Sequence, residues 1–262
     1  MNPDIPATLT EEYRKDLEAT LRNRARLAAN KNLVYWYGQL YREQLRGFAD
    51  LDQLAILEIG SGVSPLKRFY PHVMTSDVLR LDHLDHVFDC HNLDEYSAIA
   101  DHSLDIITLT NVLHHLKSPL EFLAKAAVKL KPGGALIATE PHFSILSTVL
   151  NKLFHHEPVD FSIEKPELSE VRGPLSSANQ ALAWLLFRRP EWRRQVALHF
   201  IFDPRTFRPF TAISYFLSGG ISRRFPVPHF VYRMIFAVDL CLSRAFPWLV
   251  ASFFTIRLVR KS

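Results

Sequence analysis

Apolar and polar positions change period several times along the 262 residues, and each change marks an element. Residues 54–59 are a short apolar run closed by Gly60-Ser61-Gly62, which predicts a buried strand breaking into a glycine turn. Further strands are expected at 72–77, 85–89, 104–110 and 135–140, and residues 252–260 alternate as a final one. The best-marked helix lies between the fourth and fifth strands. Ser118 offers its cap, Pro119 suits its first position, and Glu121 completes a capping box. Leu120, Leu123, Ala124, Ala127 and Leu130 then form one apolar stripe, which Lys129, Lys131 and Pro132-Gly133-Gly134 end. Strands alternating with helices predict a parallel sheet covered on both faces. Upstream, residues 8–29 read as a charged helix capped by Thr10, and residues 33–48 as a second helix carrying Tyr35, Trp36, Tyr37 and Tyr41. After His142 the register is lost. Prolines break residues 144–187, and residues 226–250 read as an aromatic, proline-punctuated helical pair.

The glycine turn narrows the chemistry. Asp77 ends the second expected strand 17 residues after Gly60, where nucleotide-binding α/β folds hold ribose hydroxyls, so an adenosine-containing cofactor is expected. A dinucleotide fingerprint needs a third glycine, but the chain reads Gly60-Ser61-Gly62-Val63-Ser64-Pro65, and Pro65 opposes close helix packing. Glu58 beside the turn suits a cationic ligand better than a diphosphate.

Five ordered segments carry a resemblance: Glu58-Ile59-Gly60-Ser61-Gly62, Asp77, Asp89, the run from Asp105 through Asn111 and His114-His115 to Leu116, and Leu130-Lys131-Pro132-Gly133-Gly134. Together they resemble the class I S-adenosylmethionine-dependent methyltransferases over roughly residues 30–142. The resemblance implies a Rossmann-like, doubly wound α/β fold with a mostly parallel seven-stranded sheet, and S-adenosylmethionine as cofactor. It implies that Gly60 and Gly62 line the methionine part, with Glu58 and Ser61 beside them. Asp77 takes the ribose, Asp89 with Cys90 beside it meets the adenine amino group, and Asn111 lies under the methyl end. Ser64 stands where the family often has a third glycine. Helices before the first strand often cover the cofactor in that family, which places the aromatics of residues 33–48 either near a sulfonium or simply against the sheet.

Methyl transfer needs an aligned nucleophile and, for a hydroxyl acceptor, a base. His114, His115 and His142 follow strands at the ligand edge of the sheet and are the candidates; Glu140-Pro141-His142 with His155-His156-Glu157 form a second group, in which a carboxylate would orient the base, and a packing or capping role is the alternative for the first pair. No metal site is expected, since His83 and His86 lack cysteine partners. Gly62-Val63-Ser64-Pro65-Leu66 fails the hydrolase elbow at its last place. No zinc module or base-methylation signature points to nucleic acid.

Charge adds a partner. Residues 1–164 carry 16 Lys and Arg against 22 Asp and Glu, whereas residues 165–262 carry 15 against 5, a balance of +10. The pairs Arg188-Arg189, Arg193-Arg194 and Arg223-Arg224 suit phosphate, sugar acids or anionic lipid. The expected acceptor is accordingly a small-molecule or lipid-linked amphiphile, glycan included, methylated on oxygen. A non-catalytic module held to a membrane surface or partner by its basic half is the alternative, against which the intact Glu58, Gly60, Gly62 and Asp77 count. Two separated cysteines, a charged amino terminus and no apolar run of about 20 residues fit a cytoplasmic protein, peripheral on a membrane at most. The chain divides as a helical cap (1–50), a cofactor-binding core (51–143), a basic helical insertion for substrate recognition and membrane-surface contact (144–251) and a final core strand (252–262).

Overall fold

The computed structural model describes residues 11–154, 158–220 and 225–262. Among them eight strands form one sheet. They are β1 (Ile56–Ile59), β2 (Met74–Asp77), β3 (His86–Val87), β4 (Leu104–Thr110), β5 (Leu130–Pro141), β6 (Phe200–Phe202), β7 (Arg208–Phe210) and β8 (Phe253–Arg260). The order is β3-β2-β1-β4-β5-β8-β6, with β7 also paired to β8. Strands β1 to β5 are parallel neighbours, and β8 runs antiparallel to β5.

Six strands were placed on the sequence and seven were implied by the resemblance; the count is eight, because the segment read as a helical insertion adds two to the six. β6 pairs with Leu258–Arg260 and β7 with Phe253–Thr255, so both share the outer edge of β8. Covering that edge satisfies backbone groups that an exposed strand would offer to other chains.

The helices are α1 (Glu11–Ala28), α2 (Lys31–Gln44), α3 (Leu66–Phe69), α4 (Pro119–Lys129), α5 (Ile145–Phe154), α6 (Gln180–Leu186), α7 (Pro190–His199), α8 (Ile213–Ser218) and α9 (His229–Ala245). Strand alternation sorts them into two layers. Leu57, Ile107, Leu136 and Ile256 point to the layer of α4, α6 and α7 and meet Phe122, Leu182 and Trp192. Ile56, Ile106, Ile137 and Phe253 point the other way, onto Leu33, Trp36 and Leu40 of α2 and Phe236 of α9. Each such fully buried side chain stabilises the fold by about 1.5–3 kcal/mol.

Helix α4 starts at Pro119 as expected, but Ser118 makes no side-chain cap bond and Glu121 instead pairs with Lys125 at 3.4 Å. Its buried face is Phe122, Leu123, Ala126 and Ala127, one residue out of step with the expected stripe, so Leu120 and Ala124 are only half-buried. The expected pair over 226–250 is one helix, α9, with Pro226 and Pro228 before it and Pro247 after; the prolines bound it because none can donate within a helix. Thr10, expected to cap α1, lies outside the described residues.

Candidate active site

The chain runs from β1 to β2 and β3 on one side of the sheet, then crosses to β4 and β5 on the other. Open α/β sheets bind ligands at the carboxyl ends of strands where the order reverses in this way. A cavity of about 850 Å³ lies there, in the upper part of the range of small-molecule sites.

Gly60 lines this cavity. Its φ is +78°, and a Cβ built there would lie 2.4 Å from Val112 Cγ2; only glycine fits both constraints. Gly62 donates its N–H to Asp77 Oδ2 at 2.9 Å, and Leu79 donates to Asp77 Oδ1 at 2.9 Å. Two backbone donors thus aim the carboxylate that ends β2. Burial raises the Asp77 carboxyl above its ordinary range, and the same two N–H groups pull it back. Asp89 and Cys90 form another wall with Phe88 and His91. Asp89 Oδ1 accepts from His91 N and pairs with His91 Nδ1 at 2.8 Å, while burial pushes the Cys90 thiol well up. Asp89, Cys90 and His91 bring one possible ligand atom each within 4.8 Å of one another, a cluster not anticipated from the sequence. Asp89 Oδ1 and His91 Nδ1 already engage each other, and no metal chemistry is assigned to the cluster.

Asn111 follows β4 in the left-handed region, with φ +56°. Its N–H donates to Thr139 O at 2.8 Å, and its Oδ1, buried at the cavity wall, has no hydrogen-bond partner. The next residues are held from below by Glu140, at the end of β5. Oε1 accepts from Val112 N at 2.9 Å and Leu113 N at 2.7 Å, and Oε2 lies 2.6 Å from His114 Nδ1. Both side chains are buried. His115 lies alongside, with its ring 4.2 Å from that of His114 and Nδ1 2.8 Å from Ser177 O.

Several sequence candidates lie elsewhere. Glu58 and Ser61 do not line the cavity. They sit behind the turn: Glu58 Oε1 accepts from Ser64 Oγ at 2.5 Å, and Ser61 Oγ donates to Glu58 O and accepts from Ser76 N. Ser64, where the family often has glycine, thereby joins Glu58 to Tyr41, whose hydroxyl is 2.8 Å from Ser64 Oγ. His142 is also outside the cavity lining. It packs against Phe207 and Phe254, and burial, with Arg188 nearby, pushes it down to about 4. Of the aromatics of α2, Tyr37 reaches the cavity, while Trp36 packs on Phe210, Tyr215 and Phe253. His155, His156 and Glu157 lie outside the described residues.

The roof comes from the helical cap and the insertion, the two segments expected over the site, through residues the sequence did not single out. Ala19, Thr20 and Asn23 of α1 line the cavity, and so do Val171, Gly173, Pro174 and Leu175. Asp16 ties the two together by accepting from Leu175 N at 2.9 Å and Ser176 N at 3.2 Å. For these particular contacts the sequence offers Gly173-Pro174 and Asp16 in a charged helix.

The family model described as "Methyltransferase domain" matches residues 7–194. The chain belongs to this methyltransferase family. It is an S-adenosylmethionine-dependent methyltransferase, and S-adenosylmethionine is its cofactor. No curated protein matches the chain significantly. Among solved structures, the complex of the Haloferax volcanii Trm112 methyltransferase activator with a putative methyltransferase is 12% identical. It covers 97% of this chain and 100% of that one at a TM-score of 0.50, a likeness of fold. The N-methyltransferase NodS from Bradyrhizobium japonicum, in complex with S-adenosyl-l-homocysteine, is 14% identical over 96% of this chain and 100% of its own, with a TM-score of 0.48. A SAM dependent methyltransferase from Archaeoglobus fulgidus is 16% identical over 95% and 96%, at 0.42.

The residues present fit the cofactor of this methyltransferase. Asp77 offers a half-buried carboxylate at the cavity wall, which vicinal hydroxyls satisfy by donating to it. Asn111 lines the same cavity, and its Oδ1 is an unpartnered acceptor of the kind an ammonium donor satisfies.

Proposed function

We propose that this methyltransferase O-methylates a hydroxyl on an amphiphilic acceptor, with His114 as the base, Glu140 as its positioning partner, and a membrane surface as the place of work. Bound S-adenosylmethionine supplies a methyl on a sulfonium, open to in-line displacement. The chain has then to align the acceptor and take up the hydroxyl proton. The observation that carries the reading is the buried His114–Glu140 pair at the cavity wall, 2.6 Å between Nδ1 and Oε2. With Nδ1–H directed to Glu140, a neutral imidazole carries its lone pair on Nε2, the form that accepts a proton. Glu140 then stabilises the imidazolium that results. Its other oxygen holds the 112–113 backbone, so base and loop are fixed by one side chain.

Gly60, Gly62, Asp77, Asp89, Cys90 and Asn111 hold the cofactor in this reading, and Glu58 and Ser61 support the turn from behind. His115 shapes the acceptor side, and His142 is structural. Residues 144–251 choose the acceptor. The cavity supports an amphiphile because its wall joins Asn111 and the two histidines to Tyr37, Tyr215 and Phe253.

The test is transfer of carbon-13 methyl from S-adenosylmethionine into lipid and water-soluble extracts, with the product's methyl resonance identifying the atom methylated. His114→Ala is expected to slow turnover about 10²–10⁴-fold, and Glu140→Gln to shift the pH profile of turnover as well as lower it. His142→Ala is expected to cost less than tenfold. An N-methyl or C-methyl product, or an unaffected His114→Ala, overturns the reading.

A further inference from the structure

We infer that the outer face of α9, with the start of α5, is a docking surface for an anionic lipid bilayer; this rests on the proposed membrane-surface reading and assigns it a place. Phe230, Met234 and Val238 are 70%, 68% and 60% exposed, and Leu242 continues the same stripe. Their spacing of four keeps them on one side of the helix. Tyr232, Phe236, Asp239 and Ser243 are buried on the opposite side. The stripe does not stop with the helix. Trp248 is 63% exposed, its carbonyl accepts from Ile145 N at 3.1 Å, and Ile145 at the start of α5 is exposed too. Exposed apolar surface of this extent marks an interaction site.

Charge selects the occupant. From Phe225 to Ser252 the one acidic residue is Asp239, and it is buried against Ala212 N and Ser214 N. Arg233 and Arg244 both fall on one flank of the stripe. Arg244, Arg208 and Arg46 share a single carboxylate, Glu43, at 2.5, 3.1 and 3.8 Å. Three guanidinium groups around one carboxylate leave a positive surplus beside the apolar stripe. A second copy docked on the same face would set arginines against arginines without carboxylates to pair them. Anionic headgroups supply the missing charge, while the stripe and Trp248 enter the headgroup boundary as interfacial helices do. No described helix is long and apolar enough to cross a membrane, which fits contact from one side.

The probes are vesicles of phosphatidylcholine alone and of phosphatidylcholine with phosphatidylglycerol, mixed with the full chain. Co-sedimentation with the anionic vesicles is expected, falling about tenfold or more from low to high salt. Trp36 and Trp192 are buried and Trp184 is half-buried, so bromine-labelled lipid chains should quench mainly Trp248, and Trp248→Phe should remove most of that signal. Met234→Glu with Val238→Glu, both at exposed positions, should lower vesicle binding at least tenfold with melting temperature unchanged. Absent vesicle binding, binding that ignores the double variant, or a dimer in sedimentation that the double variant dissociates would each overturn the inference. Calorimetry with S-adenosylhomocysteine reads the cofactor site independently, so failure at the membrane and failure of the enzyme reading are told apart.

Discussion

Glu58 is buried under the glycine turn, with Oε1 bonded to Ser64 Oγ and Oε2 without a hydrogen-bond partner. Burial pushes it up to about 7; the serine hydroxyls and Arg24 oppose this, and Asp77 adds to it. The folded chain therefore holds a proton on Glu58 that the unfolded chain has lost, so this residue makes stability fall as pH rises from about 4.5 to about 7. His142, pushed down to about 4, acts oppositely: its contribution is lost as pH falls through about 6.5 to 4. The two overlap and partly cancel in the parent. Comparing Glu58→Gln with the parent at each pH removes the histidine. The variant is expected to gain relative stability across that window, on the order of 3 kcal/mol by pH 8, read as denaturation midpoints. A difference that stays flat with pH would mean Glu58 is ionised throughout. Residues of the turn were legible from sequence because a positive φ and a close approach are local demands. The packing of His142 among aromatics was not legible. His142 lies two residues past Glu140, one strand period on, and that step carries it under Phe207 and Phe254.

Elements were legible where one face is apolar and one is not. Strands β1, β2, β4 and β8 fall within two residues of their expected starts; Gly60 ends the first and Asp77 the second, while β8 shows itself by alternation. Helix α9 was read as two because it is apolar on both sides, so periodicity could not say which face is inside. β6 and β7 are three residues each and gain their strand character from the β8 edge, which lies 42 residues or more along the chain. The roof of the cavity depends on contacts of that long-range kind. Asp16→Ala should release residues 171–176 from α1. The expected result is faster hydrogen exchange there and a stability loss of about 1–3 kcal/mol, with weaker binding of S-adenosylhomocysteine. Unchanged exchange in that segment would show that Gly173-Pro174 packing alone holds it.

At the scale of the molecule, the basic half serves two ends. Arg188 lies over Trp184 and Phe207, Arg193 over Phe202, and Arg189 donates to the Ile163 and Phe161 carbonyls while lying over Trp192. These arginines, expected to meet an acidic ligand, hold the C-terminal layer together; Arg223 and Arg224 lie outside the described residues. Of the others, Arg244 on α9 meets Arg208 at Glu43, and Arg233 on α9 lies over Tyr35. In the proposed reading this sheet edge is an S-adenosylmethionine site anchored on Asp77. Isothermal calorimetry of the full chain with S-adenosylhomocysteine, for the parent and for Asp77→Ala, tests it. Two hydrogen bonds to a charged group, each worth about 1.5–3 kcal/mol, predict saturable one-site binding in the parent and a loss of at least tenfold in the folded variant. Equal affinity of the two proteins, or no binding by the parent, would contradict it.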